Sequence, residues 1–225
     1  MKFLSFLRYF FYLGINWNWR IATTIIRQEI KGEKKYGINT TGADELESLE
    51  KAGIDTSHAT IYMPISYLLL QAIFKQLPLK PATHFLDIGC GKGRILCVAA
   101  SQGYNKVTGI DFSKELCADA IANLALVKIN YPALQYKVIV KDAMNYEIPS
   151  DVDRIFLFNP FDIVVMGAVV FNIMESAQEF PREIYVIYAN PIYASLFLEE
   201  GFEEIYHTKE MQYLEAAIYK LPALL

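Results

Sequence analysis

A ten-residue stretch near the middle of the chain, FLDIGCGKGR at residues 85–94, constrains the fold more than any other part of the sequence. The stretch begins with mostly apolar residues, and glycines stand at positions 89, 91 and 93. Glycine lets the backbone pass very close to a ligand before a helix begins. The pattern therefore predicts a strand, a ligand-binding loop and a helix, in that order.

From residue 82 onward, short runs of β-forming residues alternate with helical runs. This alternation predicts right-handed crossovers and a mainly parallel sheet with helices on both faces. Only three residues separate the last two strand runs, too few for a crossover helix, so these runs are predicted to form an antiparallel hairpin. The predicted strands are 83–88, 106–110, 135–140, 154–158, 183–188, 203–207 and 211–220, and the predicted helices between them are 94–102, 114–130, 164–178 and 193–200.

A short polar residue lies at or just after the end of each of the five predicted parallel strands. Ligands of an open parallel sheet bind beyond the carboxyl ends of its strands, near the point where the strand order reverses. Asp and Asn are also common turn formers, so it is the glycine loop beside them that favours a binding site. These strand-end residues are Asp87, Asp111, Asp142, Asn159 and Asn190.

Two kinds of nucleotide-binding loop are excluded by the residues of the glycine segment. A nicotinamide site would have G-x-G-x-x-G, but Arg94 stands where the third glycine belongs. Asp87, just before the loop, suits a cationic amino-acid group better than a pyrophosphate. A Walker-type phosphate loop is excluded because its spacing and its Lys-Ser/Thr ending are absent.

Residues 82–220 resemble the class I S-adenosylmethionine-dependent methyltransferases in the order of these motifs. The resemblance implies a Rossmann-like, doubly wound α/β fold: a mostly parallel seven-stranded sheet closed by the C-terminal hairpin. It implies S-adenosylmethionine as cofactor and S-adenosylhomocysteine as product. In the family the first loop holds the methionine part, the acidic residue ending the second strand binds the ribose, and the one after the third strand faces the adenine amino group. The implied cofactor residues are Asp87, Gly89, Gly91, Gly93, Asp111, Phe112, Asp142, Ala143 and Asn159.

The fourth predicted strand ends in Phe158-Asn159-Pro160-Phe161-Asp162. This segment is similar to the (Asp/Asn/Ser)-Pro-Pro-(Tyr/Phe) motif of methyltransferases that act on amino groups. There, the polar side chain and the proline carbonyl accept hydrogen bonds from the target nitrogen, which makes Asn159, Pro160 and Asp162 the predicted catalytic residues. Phe161 and Asp162 depart from the motif and weigh against nucleobase chemistry. The alternative is that Asn-Pro simply ends a strand.

A second, looser resemblance is to small methyltransferases that modify lysine side chains, some of them membrane-associated. They carry an Asp-x-Gly-x-Gly-x-Gly-Arg loop after a tyrosine-bearing stretch, which here corresponds to residues 58–64 and implies that Tyr62 closes over the cofactor. A plain aromatic at a helix start is the alternative for Tyr62. The predicted acceptor is a nitrogen, in a protein lysine or a small amine. An oxygen or nucleobase acceptor, and a non-catalytic cofactor-binding module recruited by its N-terminal helix, stay open.

The first 35 residues are predicted to form an amphipathic helix, because polar side chains recur every three to four residues in an apolar and aromatic background. Seven basic and two acidic residues give this segment a charge of +5, while residues 36–225 carry −9, which weighs against nucleic acid as a partner. No run is long enough to span a bilayer. The helix therefore packs on the domain, associates with a second copy, or lies at a membrane surface.

Residues 36–80 are predicted to be a polar connector with a small helical cap, including helices at 43–51 and 65–77, and residues 81–225 the cofactor-binding domain. Three cysteines and three histidines are scattered without a ligand spacing, so no metal site is predicted. The odd number of cysteines indicates reduced thiols. The sequence thus predicts a cytoplasmic protein and leaves open a peripheral position at a membrane.

Overall fold

The computed structural model of the protein describes residues 6–7, 9–11, 14–15, 18–41, 64–77, 84–158, 161–210 and 214–224. The strands are β1 (His84–Ile88), β2 (Lys106–Asp111), β3 (Gln135–Val140), β4 (Val152–Phe158), β5 (Ile184–Ala189), β6 (Glu203–Glu210) and β7 (Leu214–Leu221). The helices are α1 (Trp19–Tyr36), α2 (Tyr67–Gln76), α3 (Arg94–Ser101), α4 (Lys114–Asn130), α5 (Ile163–Glu179) and α6 (Ala194–Glu199), with a 3₁₀ helix at Ala143–Asn145. Residues 6–7, 9–11 and 14–15 are also helical.

The seven strands form one sheet in the order β3-β2-β1-β4-β5-β7-β6. Strands β1 to β5 pair with one another in parallel, and β7 is antiparallel to both β5 and β6. The predicted fold and its closing hairpin are therefore confirmed. The strand order reverses between β1 and β4, so the carboxyl ends of these two strands border the crevice where sheets of this kind bind ligands.

Apolar clusters cover both faces of the sheet. One contains Phe85 together with α2, α3 and α4, and the other contains Leu86 together with α5 and α6. Because successive side chains of a strand point to opposite faces, β1 contributes to both clusters. All of β1 is buried, and Phe85, Leu86 and Ile88 supply its apolar contacts to the two clusters.

Two expectations for the N-terminal part are wrong in detail. Asn18 is not helical, and its carbonyl accepts the hydrogen bond from the Ala22 amide at 2.9 Å, so α1 starts after it and the predicted continuous helix over the first 35 residues is interrupted. The helix predicted over 65–77 begins at Tyr67, because the Ser66 side chain caps it by accepting a hydrogen bond from the Leu68 amide. The predicted helix at 43–51 lies outside the described residues.

Helix α1 lies close against α2 at Gly32. A Cβ atom at this position would lie 2.2 Å from the Tyr67 ring, so only glycine permits the contact. The rings of Tyr36 and Tyr67 stack beside it, with centroids 5.7 Å apart. The N-terminal extension is thus packed on the domain through α1, one of the alternatives that the sequence left open.

Candidate cofactor site

The loop after β1 adopts a left-handed backbone conformation at each of its three glycines. The φ angles are 81° at Gly89, 50° at Gly91 and 74° at Gly93. The amides of Gly89 and Cys90 both donate to the carbonyl of Ile110 at 2.9 Å, which ties the loop to the end of β2. Because side chains other than glycine are strained at such angles, the three glycines are fixed by the course of the loop.

Two close approaches hold the loop between its neighbours. A Cβ atom at Gly93 would lie 3.0 Å from the Ala120 Cβ on α4. A Cβ atom at Gly109, in β2, would lie 2.7 Å from Leu96 and 2.8 Å from the Cys90 sulfur. Sequence reasoning missed Gly109, although a glycine inside a strand is a known signal of close backbone approach.

Asp111, the last residue of β2, links the glycine loop to the start of α4. One of its carboxylate oxygens accepts a hydrogen bond from the Gly91 amide and the other accepts one from the Ser113 amide, both at 2.9 Å. Burial raises the pKa of Asp111, and the backbone N–H groups that it accepts from counteract this. The carboxylate therefore reaches the edge of the loop, as the ribose assignment requires.

The Asp87 carboxylate is buried, and no described residue compensates its negative charge. It is 2% exposed and accepts no hydrogen bond from any residue that the structure describes. Burial raises its pKa well above the usual value, and the negative charge of Asp111 raises it further. A buried carboxylate is costly unless a cation or hydrogen-bond donor meets it. The two buried carboxylates thus fit a ligand with a cationic group, such as the ammonium of a methionine moiety.

The end of β3 completes this edge of the site. The Lys141 amide donates to the Asp111 carbonyl at 2.9 Å, which holds the turn after β3 beside β2. Asp142 is exposed and caps the 3₁₀ helix, accepting hydrogen bonds from the Met144 amide and the Asn145 side chain. Ala143 is buried. The predicted roles of Asp142 and Ala143 toward adenine stay predictions, as does that of the half-buried Phe112 after β2.

The predicted acceptor side of the site is described only in part. In the parallel pair of β1 and β4, Ile88 is level with Leu157, so the segment after β4 starts beside the glycine loop. Asn159, Pro160 and Tyr62 lie outside the described residues. Asp162 caps α5, since its Oδ1 accepts hydrogen bonds from the amides of Val164 and Val165 at 3.0 Å. A catalytic role of Asp162 stays a prediction.

Arg94, the first residue of α3, is the centre of a buried cluster that joins the glycine loop to α1. Its guanidinium donates two hydrogen bonds to the Glu29 carboxylate, at 2.8 and 2.5 Å. It also donates to the Thr40 hydroxyl and the Ile65 carbonyl, both at 2.7 Å, and stacks on the Tyr67 ring at 4.3 Å. Sequence reasoning treated Arg94 only as a residue of the loop motif, so its role as the cation of this buried cluster was missed.

Glu33, one turn after Glu29, is the second carboxylate of the cluster. It accepts hydrogen bonds from the amide and hydroxyl of Thr40 and from the Tyr67 hydroxyl, and lies 3.4 Å from the Arg94 guanidinium. The available signal was the i, i+4 spacing of two acidic residues in an otherwise basic helix. These contacts place the segment after α1 against the start of α3.

Asn123 of α4 provides a second tie between the extension and the glycine loop. Its side-chain amide donates to the Lys92 carbonyl at 3.0 Å and to the Asn39 carbonyl at 3.2 Å, while its oxygen accepts from the Asn39 amide at 2.8 Å. One buried side chain therefore bridges the loop and the chain segment that follows α1. Sequence reasoning also missed Asn123, whose signal was a polar residue on the buried face of a helix.

Within the described ranges there is no group of three metal-ligating side chains, and the three cysteines are free and buried. None of the helices in this part of the protein combines the length and hydropathy needed to cross a bilayer.

Comparisons with known proteins agree with this fold. A family model described as a methyltransferase domain matches residues 79–220. The structure of a SAM-dependent methyltransferase from Thiobacillus denitrificans in complex with S-adenosyl-L-homocysteine is 17% identical, with a TM-score of 0.54, covering 75% of this chain and 96% of that one. A SAM-dependent methyltransferase from Aquifex aeolicus is 15% identical with a TM-score of 0.53, covering 79% and 98% of the two chains. No curated protein matches in sequence.

The strand order, the closing hairpin and the glycine loop define the Rossmann-like class I methyltransferase fold. The family model matches more than half of the chain. The chain therefore belongs to the methyltransferase-domain family of S-adenosylmethionine-dependent enzymes. The family resemblance seen in the sequence is thereby confirmed.

Proposed function

We propose that this protein transfers the methyl group of S-adenosylmethionine to a nitrogen, with a protein lysine or a small amine as acceptor. The observation that carries the donor half of the proposal is the buried carboxylate of Asp87, which no described residue compensates, beside three left-handed glycines. The acceptor half rests on the Asn159-Pro160 segment, which follows β4 at the point where the strand order reverses.

The chain's own residues would hold the cofactor along the carboxyl edge of β1, β2 and β3. Asp87 would meet the ammonium of the methionine part, with the glycine loop passing close to it. Asp111 would accept hydrogen bonds from the ribose hydroxyls, since each carboxylate oxygen has two lone pairs and accepts one backbone hydrogen bond. Phe112, Asp142 and Ala143 would line the adenine side, and Tyr62 would close over the cofactor.

Alignment is the main catalytic task of this site. S-adenosylmethionine supplies a methyl group already activated by its sulfonium, which an incoming nitrogen displaces in line. The Asn159 side chain and the Pro160 carbonyl would accept hydrogen bonds from the amine and so direct its lone pair. A lysine must also lose its proton, which desolvation in the crevice favours. Asp162 would have a smaller role, because it caps the start of α5 immediately after this segment.

The test is methyl transfer from radiolabelled S-adenosylmethionine to histone-type lysine peptides and to small amines. Asn159→Ala should lower kcat about 100-fold, because a misplaced nucleophile costs roughly that much. Asn105→Ala is the matched control, since Asn105 is exposed and directly precedes β2, at the opposite end of the parallel strands. Label that is released by mild alkali would identify an ester and refute the nitrogen acceptor. Equal turnover of the two variants would refute the role of Asn159.

A further inference from the structure

The charged residues of α1 are sorted between its two sides. Both acidic residues point inward, where Arg94 and Thr40 bind them. All five basic residues are exposed, and none forms an ion pair within the part of the chain that the structure describes. The buried pair is Glu29 and Glu33, and the exposed set is Arg20, Arg27, Lys31, Lys34 and Lys35. The outer side of α1 therefore has five positive charges and no negative one.

A row of exposed apolar side chains borders this basic side. Leu7, Phe11, Ile15 and Trp19 follow one another at intervals of four residues, and each is between 42% and 75% exposed. Ile30 is half exposed and lies about three helical turns beyond Trp19, on the same edge of α1. Large apolar residues grouped on a surface mark an interaction site more often than isolated ones do.

This row stays exposed although the helical residues before Asn18 already pack on α1. Tyr9 is buried against Ala22 and Ile25. The rings of Phe10 and Phe11 lie beside Trp19, with centroids 5.5 and 6.0 Å away. The inner contacts of the extension are thus satisfied within the chain, and the exposed row is additional to them.

We infer that the outer side of α1 and its apolar row bind an anionic lipid surface. A basic face alone would suit any polyanion, including nucleic acid. Aliphatic and aromatic side chains beside it suit the bilayer interface, where a tryptophan lies at headgroup depth and Lys and Arg extend toward the phosphates. The protein would lie on the membrane rather than cross it. The inference does not depend on the acceptor of the methyl group.

The charge half of the inference is tested with the full chain and sedimented vesicles of phosphatidylcholine, with and without phosphatidylglycerol. Wild-type protein should bind only the anionic vesicles. The triple variant Arg27→Gln, Lys31→Gln, Lys34→Gln should partition about 100-fold less, at the usual contribution of each basic residue near such a surface. Its matched control, Lys75→Gln, Lys128→Gln, Lys137→Gln, changes the net charge equally at exposed lysines elsewhere and should bind like wild type.

The apolar half is tested with two isoleucines of equal exposure. Ile15→Ser should weaken vesicle binding about 10-fold, whereas Ile129→Ser on α4 should not change it, although the side chains are 75% and 74% exposed. In the Trp17→Phe variant Trp19 is the only tryptophan, and its emission should shift to the blue when anionic vesicles are added. Deleting α1 is a poor test, because it removes Glu29 from buried Arg94.

Three results would overturn the inference. The first is wild-type protein that ignores anionic vesicles. The second is equal binding by the α1 charge variant and its lysine control. The third is binding to double-stranded DNA or RNA that depends on the three basic residues and is indifferent to Ile15→Ser, which would make α1 a nucleic-acid surface.

Discussion

Two buried charged clusters lie on either side of the same glycine loop, and they are built in opposite ways. In the first, the single cation Arg94 meets two carboxylates, a hydroxyl, a carbonyl and an aromatic ring. In the second, burial raises the pKa of both Asp87 and Asp111, and the charge of Asp111 raises that of Asp87 further. No basic side chain among the described residues pairs with either carboxylate. The first cluster contains its own cation, whereas the described residues supply none to the second, which would need a ligand to provide it.

The difference separates a stabilising arrangement from a binding arrangement. Breaking a buried ion pair from one side leaves an uncompensated charge and is strongly destabilising. An acidic group whose pKa is higher in the folded than in the unfolded protein lowers stability at every pH where the unfolded state ionises. Substitutions in the two clusters should therefore change stability in opposite directions.

The largest effect is expected at Arg94. Arg94→Met would leave Glu29 and Glu33 buried without a cation and should lower the free energy of unfolding by about 3–5 kcal/mol, measured by urea denaturation. Adding Glu29→Gln to this variant should restore part of the loss, because one buried charge is then removed. A loss below about 1 kcal/mol would show that the cluster is not integral to the fold.

Asp87→Asn should separate binding from stability. Calorimetry should show S-adenosylmethionine binding about 100-fold more weakly, since a charge partner of the ammonium is lost. The ligand-free protein should unfold at a higher temperature at neutral pH, because the raised pKa of Asp87 means that its charged form opposes folding. Unchanged affinity would refute the ammonium assignment.

The matched control is Asp151→Asn at the opposite end of the sheet. Burial opposes ionisation of Asp151, but hydrogen bonds from Lys106 and His84 hold its pKa at about 2. A depressed pKa contributes stability above the unfolded value, and this is lost as the pH falls through about 2. The same Asp-to-Asn change should therefore lower the unfolding temperature here, with no effect on cofactor affinity.

Cofactor affinity should also depend on pH. Because an ammonium ligand prefers ionised Asp87, affinity should fall as the pH is lowered, starting above the ordinary carboxyl pKa of about 4. The expected slope is about tenfold per pH unit below the pKa. In Asp87→Asn the profile should flatten. A wild-type profile as flat as that of the variant would contradict a raised pKa at this carboxyl.

The smallest effect is expected at Asn123, which connects the loop with the segment after α1. Asn123→Ala should cost about 1–2 kcal/mol of stability, because the backbone groups at Asn39 and Lys92 lose their partner. It should also weaken cofactor binding severalfold through the displaced loop. Asn130→Ala, at the exposed end of α4, should change neither quantity. Equal results for the two variants would contradict the bridging role.

Local patterns in the sequence predicted most of the sheet. The bounds of β3 and α4 agree with the prediction to the residue, and the other elements of the sheet domain agree within three residues. Strand and helix periodicity are local properties, so they are readable without the fold. Element ends depend on caps such as Ser66, which places the start of α2 two residues after the predicted one.

The course of the glycine loop could be predicted from the sequence, and the network behind it could not. The glycines at 89, 91 and 93 and the carboxylates at 87 and 111 have spacings set by one strand, loop and helix unit. The carboxylate partners of Arg94 lie 61 and 65 residues away in the chain, and their i, i+4 spacing does not indicate which residue they bind. Such pairs depend on how helices pack, which periodicity does not determine.

The 65-residue separation of Glu29 and Arg94 also sets an order of assembly during synthesis. At about 5–20 residues per second, roughly 3 to 13 seconds pass between translation of the two residues. Throughout that interval the Glu29 carboxylate exists without the Arg94 guanidinium that it binds in the folded protein. The extension is therefore translated early and docks late, after the first strand and its following helix have formed.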